Sequence, residues 1–207
     1  MIDFYTYGFP SCWMVSIMLE ECCTDYVCHT VDVTQFEQNT PEFERISPNH
    51  TVPAILDRNG PGGKPIRIFE SAAILHYLAN KTGKLKGNTE IVEVEAYQWM
   101  MVVITGVAPF YKLGIEKSTL NESDKVLNIR KSQIEKTLKR YVSVLDFRLR
   151  EYQYLAKVYT MADVAAYPWI CNLEQNFDIY LHDFVGVNNW YSRLKKRTAI
   201  RSGMSVP

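Results

Sequence analysis

Hydrophobic and polar positions alternate with two different periods in the first third of the chain. Met1–Thr6 and Tyr26–Val33 have the apolar, alternating pattern of strands. Between them, Ser11–Cys22 repeats its apolar residues every three or four positions, as an amphipathic helix does, and Ser11 is its predicted N-cap. A strand, a helix and a strand within about thirty residues form a βαβ unit. The pattern therefore predicts an α/β start to the chain.

The next fifty residues continue the α/β pattern. A short helix is predicted for Pro41–Ile46, with Thr40 as its N-cap and proline at its first position. Two short apolar runs, Ala54–Leu56 and Pro65–Phe69, are separated by a loop rich in turn residues, which predicts a hairpin. Glu70–Lys81 again has helical periodicity. The order is β-α-β-α-β-β-α.

After this point the pattern becomes entirely helical. A polar stretch with two glycines, residues 82–89, reads as a linker between a domain of residues 1–81 and an all-helical domain of residues 90–207. The predicted helices of the second domain are Glu90–Ile104, Ser123–Arg150, Thr160–Cys171 and Val187–Lys196. The apolar side of the first of these is predicted to contain Val94, Tyr97, Gln98 and Met101.

Composition and charge narrow the possible classes of protein. Among 207 residues, 47% are hydrophobic and 13% aromatic, which is enough to form a packed core. Basic and acidic residues are equal at 23 each, so nothing indicates a nucleic-acid partner. The N-terminus lacks a secretory pattern, and apolar runs such as WMMVVI are too short to span a bilayer. Five cysteines without paired spacing do not indicate a disulfide framework, so we expect a cytoplasmic protein without a membrane partner.

The stretch SPNHTVPAIL places a proline where a strand should begin. Pro53 cannot donate to a β-ladder, and it directly follows the β-branched Val52. One interpretation is a rigid bend with a cis Val52–Pro53 peptide bond, a form that X-Pro bonds can adopt. Such a bend exposes the Val52 backbone to a ligand. The other interpretation is an ordinary turn, which these ten residues alone favour.

Three motifs occur in order along nearly the whole chain. They are SPNHTVPAI, then FESAAILHYLA at Phe69–Ala79, and YTMADVAAYPW at Tyr159–Trp169. Together they resemble the cytosolic glutathione S-transferases, and the first two are most similar to bacterial enzymes of the nu class. The resemblance implies an α/β thioredoxin-like N-terminal domain followed by an all-α C-terminal domain. It favours the cis interpretation of Pro53.

The resemblance also implies a ligand, glutathione as co-substrate, and no metal. Ser71 would bind the γ-glutamyl carboxylate at a helix N-terminus, where backbone N–H groups and the helix dipole favour an anion. Many members have a lysine where this chain has Thr51, which weakens the expected contact with the glycyl carboxylate. The implied glutathione-binding residues are Val52 and Pro53 for the cysteinyl part, Glu70 and Ser71 for the γ-glutamyl end, and His50 and Thr51 for the glycyl end.

The position of the catalytic hydroxyl is altered in this sequence. Relatives of the nu, phi and zeta classes carry a hydroxyl ten residues before the position of Leu19. In this chain that position is Phe9, which cannot donate a hydrogen bond to sulfur. Ser11 is the first replacement we consider, with its hydroxyl at the start of the helix. Cys12 is the second, because a thiol at a helix N-terminus has a lowered pKa and can form a mixed disulfide with glutathione.

Three functions are compatible with these residues. The first is a homodimeric glutathione transferase that conjugates a small electrophile or reduces a disulfide. The second is a non-catalytic glutathione-binding or protein-interaction module that lost the hydroxyl at Phe9, and the third is a redox protein that uses Cys12 covalently. The expected second-substrate pocket contains Phe9, Trp99, Val103, Phe110, Tyr111 and Trp169, although an aromatic stripe of this kind is more often core.

Overall fold

The computed structural model describes residues 1–115 and 124–207. The chain divides into two compact units. The first contains Met1–Lys86 together with Lys195–Pro207, and the second contains Gly87–Leu194. The predicted boundaries at residues 81 and 90 stay a prediction, but the C-terminal segment packs within the first unit rather than within the helical one.

A four-stranded mixed sheet forms the centre of the first unit. Its strands are β1 (Ile2–Thr6), β2 (Tyr26–Thr30), β3 (Ala54–Asp57) and β4 (Ile66–Phe69), in the order β2-β1-β3-β4. β1 is parallel to β2 and antiparallel to β3, and β3 and β4 form the predicted hairpin. β2 ends before the predicted Val33, because the Asp32 carboxylate accepts from the Thr34 amide at 2.9 Å and starts a short 3₁₀ turn.

Three helices accompany the sheet: α1 (Pro10–Cys22), α2 (Pro41–Glu44) and α3 (Ser71–Thr82). Ser11 is not the N-cap of α1, since Phe9 occupies that position. The reason is Pro10, whose fixed φ and missing N–H suit the first helical position. Thr40 caps α2 as predicted, because its hydroxyl accepts from the Phe43 amide.

Helices form most of the described part of the second unit. Its helices are α4 (Glu90–Val102), α5 (Ala108–Ile115), α6 (Asp124–Glu151), α7 (Met161–Ile170), α8 (Leu173–Asn176) and α9 (Val185–Leu194). A π-helical turn, Val103–Val107, joins α4 to α5. Ser123, the predicted start of the long helix, lies outside the described residues. α5 and α8 were not predicted from the sequence.

The predicted apolar side of α4 is wrong. The helix buries Val92, Ala96 and Met100, whereas Val94 is 67% exposed and Tyr97 is 49% exposed. The reason is that α4 carries apolar residues on two sides, so periodicity alone cannot identify the side that packs in the unit. An apolar face of α4 therefore remains exposed in the single chain.

The predicted capping motif at the start of α7 is confirmed. The Thr160 hydroxyl accepts from the Ala162 amide, and the Asp163 carboxylate accepts from the Thr160 amide at 3.0 Å. The same carboxylate also accepts from the Leu155 amide and, at 2.9 Å, from the Trp190 indole N–H. Burial raises the pKa of Asp163 to about 6, although these hydrogen bonds act in the opposite direction.

A further helix that the sequence did not indicate, α10 (Thr198–Met204), packs against α1. Its Gly203 lies so close to α1 that an added Cβ would be 2.6 Å from the Ile17 Cα. The Ser16 hydroxyl donates to the Gly203 carbonyl at 2.7 Å, and Arg197 makes two hydrogen bonds to Glu21. α1 therefore packs against the C-terminal helix α10 as well as against α3.

One helical run among the described residues, Glu90–Ile115, is long and apolar enough to cross a membrane by length and composition alone. The expectation that every apolar stretch is too short to span a bilayer is therefore wrong for this run. In the sequence, the same run consists of several shorter apolar segments. Core helices of water-soluble proteins also meet this criterion, and 39% of the most apolar window is buried.

Candidate glutathione site

The Val52–Pro53 peptide bond is cis, as the resemblance predicts. Val52 is half-buried and packs against a small cluster formed by Val31, Phe43 and Ala54. Its backbone N–H and C=O make no hydrogen bond with any group in residues 1–115 or 124–207. Only Pro53 separates this residue from β3, so its backbone can pair with an extended peptide-like ligand.

The loop that ends β4 leads into the N-terminus of α3. Glu70 occupies the N-cap position with φ at +70°, and its side chain does not cap the helix. Ser71 is the first helical residue rather than the N-cap. Within the described chain, no protein group accepts a hydrogen bond from the amides of Ser71, Ala72 or Ala73. These amides and the helix dipole create a place for a carboxylate.

Asn49 orients Glu70 and was not predicted as a site residue. Its side-chain amide donates to Glu70 Oε1 at 3.1 Å and reaches Thr51 Oγ1 at 3.4 Å. The buried Ser47 hydroxyl donates to the Thr51 carbonyl at 2.9 Å, which closes the loop. Asn49 belongs to the SPN motif, but nothing in the motif indicates a contact with a residue 21 positions later.

His50 lies beside the turn that precedes α2. Its backbone has φ at +54°, and its ring Nδ1 is 3.0 Å from the Gln38 carbonyl, so this nitrogen carries the proton and donates. Nε2 is 3.9 Å from Glu44 Oε1. Thr51 is exposed, as expected for a ligand-facing loop. The glycyl roles of His50 and Thr51 stay a prediction.

The N-terminus of α1 has no side-chain cap. Phe9 occupies the N-cap position, is 37% exposed, and has its ring centroid 5.3 Å from that of Tyr7. No described protein group accepts from the Ser11 amide. Ser11 is only 8% exposed. The free amide and the helix dipole can therefore stabilise a thiolate, and the Ser11 hydroxyl is adjacent.

The predicted lowering of the Cys12 pKa is wrong. Cys12 is fully buried, and this burial raises the pKa of its thiol. The polar groups nearby, including the Tyr7 backbone and the Thr6 and Ser11 side chains, lower the pKa but do not compensate for burial. Burial also keeps a disulfide substrate away from the sulfur, so the structure gives no support to a covalent role for Cys12.

Three of the residues predicted to line a second-substrate pocket belong to the core of the helical unit. Val103, Tyr111 and Trp169 are 0%, 3% and 1% exposed. Tyr111 packs edge-on against both Trp169 and Phe177, with centroids 5.4 and 5.3 Å away, and its hydroxyl accepts from Asn176. This burial does not favour the pocket assignment for these three. For Phe9, Trp99 and Phe110 it stays a prediction.

Comparisons with known proteins agree with this fold. The sequence model described as Glutathione S-transferase, N-terminal domain, matches residues 10–81. The chain is 33% identical over 201 residues to the disulfide-bond oxidoreductase YfcG of Escherichia coli K12, covering 96% of this chain and 92% of that protein. The chain therefore belongs to the glutathione S-transferase family.

Two crystal structures have the same fold. One is a glutathione transferase family member from Pseudomonas fluorescens Pf-5 with two glutathione molecules bound. It aligns with a TM-score of 0.92 and 34% identity, and the alignment covers 100% of this chain and 93% of that chain. The other is a glutathione transferase from Pseudomonas putida with one glutathione disulfide bound per subunit. It aligns with a TM-score of 0.90 and 33% identity, and the alignment covers 100% of this chain and 91% of that chain. The predicted thioredoxin-like domain followed by a helical domain is confirmed.

Proposed function

We propose that this protein binds glutathione and catalyses thiol transfer to a small disulfide, with conjugation to a small electrophile as a related activity. The observation that carries the proposal is the pair of open backbone sites in the first unit, at Val52 and at the N-terminus of α3, in a chain of this family. A small-molecule partner and a cytoplasmic location belong to the same proposal.

Each end of glutathione has a complementary group in the proposed site. The Val52 N–H and C=O pair with the backbone of the cysteinyl residue. The γ-glutamyl carboxylate accepts from the amides and the hydroxyl at Ser71, and Glu70, oriented by Asn49, accepts from the γ-glutamyl ammonium. The imidazole of His50 is close to the predicted glycyl end.

The proposed reaction is thiol–disulfide exchange. The glutathione thiolate attacks one sulfur of the substrate disulfide, a mixed disulfide forms, and the other sulfur leaves as a thiolate that takes up a proton. A second glutathione then attacks the mixed disulfide and releases glutathione disulfide and the remaining substrate thiol. The two crystal structures, one with two glutathione molecules bound and the other with glutathione disulfide, support this sequence.

The N-terminus of α1 is the proposed activator of the glutathione thiol. A free cysteine thiol has a pKa of about 8.5, so a thiolate at neutral pH needs stabilisation. The Ser11 amide and the dipole of the 13-residue helix α1 supply it, and the Ser11 hydroxyl contributes a further donor. This assignment does not require a hydroxyl at Phe9.

Calorimetric titration with glutathione tests the binding site. Ser71→Ala removes the hydroxyl but leaves the amides of α3, so we expect affinity to fall by about tenfold, one hydrogen bond to a charged group. Ser143→Ala is the matched control, because the exposed Ser143 hydroxyl only donates to Lys139 within α6. Equal affinity for Ser71→Ala and the wild type contradicts the proposed site.

A second candidate function is a glutathione-binding module without catalysis. The observation that favours it is Phe9, which places an exposed ring, rather than a hydroxyl, at the N-cap of α1. This candidate predicts glutathione binding that Ser71→Ala weakens, together with no acceleration of disulfide reduction.

We further propose that the protein forms a homodimer through the exposed face of α4. Ile91, Val94 and Tyr97 are 70%, 67% and 49% exposed and lie three residues apart, on one side of the helix. A contiguous exposed apolar face is typical of a protein–protein contact. The second copy of the chain is the proposed partner for this face.

A further inference from the structure

The first turn of α1 is tied to the C-terminal strap, which we define as residues 205–207, after the end of α10. The Trp13 indole N–H donates to the Val206 carbonyl at 3.0 Å, and the Thr6 hydroxyl donates to the main-chain oxygen of Pro207 at 2.9 Å. Trp13 is the fourth residue of α1, in the same turn as Ser11. The strap therefore contacts the end of α1 at which the proposed thiol activation takes place.

Other contacts fix α1 farther along its length. Ser16 donates to Gly203, where the two helices approach most closely, and Arg197 pairs with Glu21 in the last turn. These bonds hold the middle and the end of the helix. The Trp13 bond differs from them because it holds the first turn, whose N-cap has no side-chain hydrogen bond of its own.

The position of this turn matters for chemistry. Each residue of an α-helix rises about 1.5 Å along the axis, so a small slip or a fraying of the first turn moves the Ser11 amide by a comparable distance. A misplacement of about 1 Å at a reacting centre can reduce the rate by roughly 10²-fold. A helix N-terminus without a side-chain cap is also the part most prone to fray.

We propose that Trp13 is a positioning residue, which holds the first turn of α1 against the glutathione thiol through its hydrogen bond to Val206. This inference rests on the proposed function, because it assigns thiol activation to α1. The inference gives a role in the reaction to a residue that does not contact glutathione. It also gives the strap a role in setting the fraction of bound glutathione that is in the thiolate form. The binding residues Val52, Glu70 and Ser71 lie on other elements, so Trp13 acts on the reaction and not on affinity.

The test compares Trp13→Phe with Ser16→Ala. Trp13→Phe keeps an aromatic ring but removes the indole N–H donor and the second ring. Ser16→Ala removes the bond to Gly203 from the middle of α1, and a 3.2 Å contact with the Trp13 carbonyl, but leaves the Trp13 indole and its bond to Val206 in place. Four quantities are measured for each: kcat for disulfide reduction, KM for glutathione, the ultraviolet absorbance of bound glutathione thiolate at neutral pH, and the melting temperature.

We expect Trp13→Phe to lower kcat by about tenfold and to reduce the thiolate absorbance, with KM within about twofold of the wild type. Ser16→Ala should lower the melting temperature and leave kcat and the thiolate absorbance unchanged. The inference is overturned if Trp13→Phe keeps the wild-type kcat and absorbance, or if both variants change them equally. A wild-type protein without turnover or thiolate instead contradicts the proposed function, which separates the two failures.

Discussion

At the scale of single residues, burial decides which cysteine can react. Cys12 has the sequence position of a reactive thiol, but it is fully buried and its pKa is raised. Cys23 is exposed, in the left-handed conformation that ends α1. Thiol reactivity requires both exposure and a population of thiolate, so the hypothesis of a covalent redox function for Cys12 loses its support.

Intact-mass measurement after treatment with glutathione disulfide tests this conclusion. We expect the added glutathione to be lost in Cys23→Ser and to persist in Cys12→Ser, because only the former removes an exposed thiol. Cys28→Ser is the control at a second exposed cysteine. Partial burial of its thiol raises the pKa of Cys28. Loss of the adduct in Cys12→Ser alone would restore the redox hypothesis.

Asp163 links stability to pH in the direction opposite to that of most carboxylates. Its pKa is raised by burial from 3.8 to about 6. Between these values the folded state holds a proton that the unfolded state has released, so its contribution to stability falls as pH rises from about 4 to 6. At about 1.36 kcal/mol per unit, the change is roughly 3 kcal/mol.

Denaturant unfolding of the wild type and Asp163→Asn over this pH range measures the effect. The amide of the variant does not titrate, so other groups cancel in the difference between the two free energies of unfolding. We expect the advantage of the wild type to decrease with rising pH. An advantage that grows between about pH 4 and 6 would mean that the hydrogen bonds to the carboxylate outweigh its burial.

At the scale of elements, local patterns predicted what local interactions determine. The strands, the hairpin and the capping box at Thr160 depend on neighbouring residues, and the structure confirms them. The packed side of α4 and the existence of α10 depend on contacts distant in sequence. Asn49 was missed for the same reason, because its partner Glu70 belongs to another loop.

The exposed side of α4 gives a prediction at this scale. A charge at the centre of an apolar dimer contact is desolvated without a partner, so Val94→Asp should convert the dimer to a monomer. Phe147→Asp is the matched control, because Phe147 is an apolar, 78% exposed residue on α6. Light scattering coupled to size exclusion reports the mass. A dimer in Val94→Asp, or a wild-type monomer, contradicts the proposed interface.

At the scale of the whole molecule, the order of the motifs was more informative than any single one. The loop at Val52, the Glu70–Ser71 turn and the capping box each allow an ordinary structural interpretation. Their order along one chain indicated the family, which the match along 96% of the chain then established. For the catalytic group the sequence left alternatives open, because Phe9 departs from the pattern, and the proposed role passes to the Ser11 amide and hydroxyl at the start of α1.

The central claim is that this chain uses the glutathione it binds. Its most direct test is the rate of reduction of a small disulfide by glutathione, with wild-type protein whose glutathione binding has been measured by calorimetry in the same preparation. We predict turnover that saturates with glutathione and falls by about tenfold in Ser11→Ala, the loss of one donor to the thiolate. Glutathione binding with a rate equal to that of the uncatalysed reaction would contradict the claim and favour the binding module.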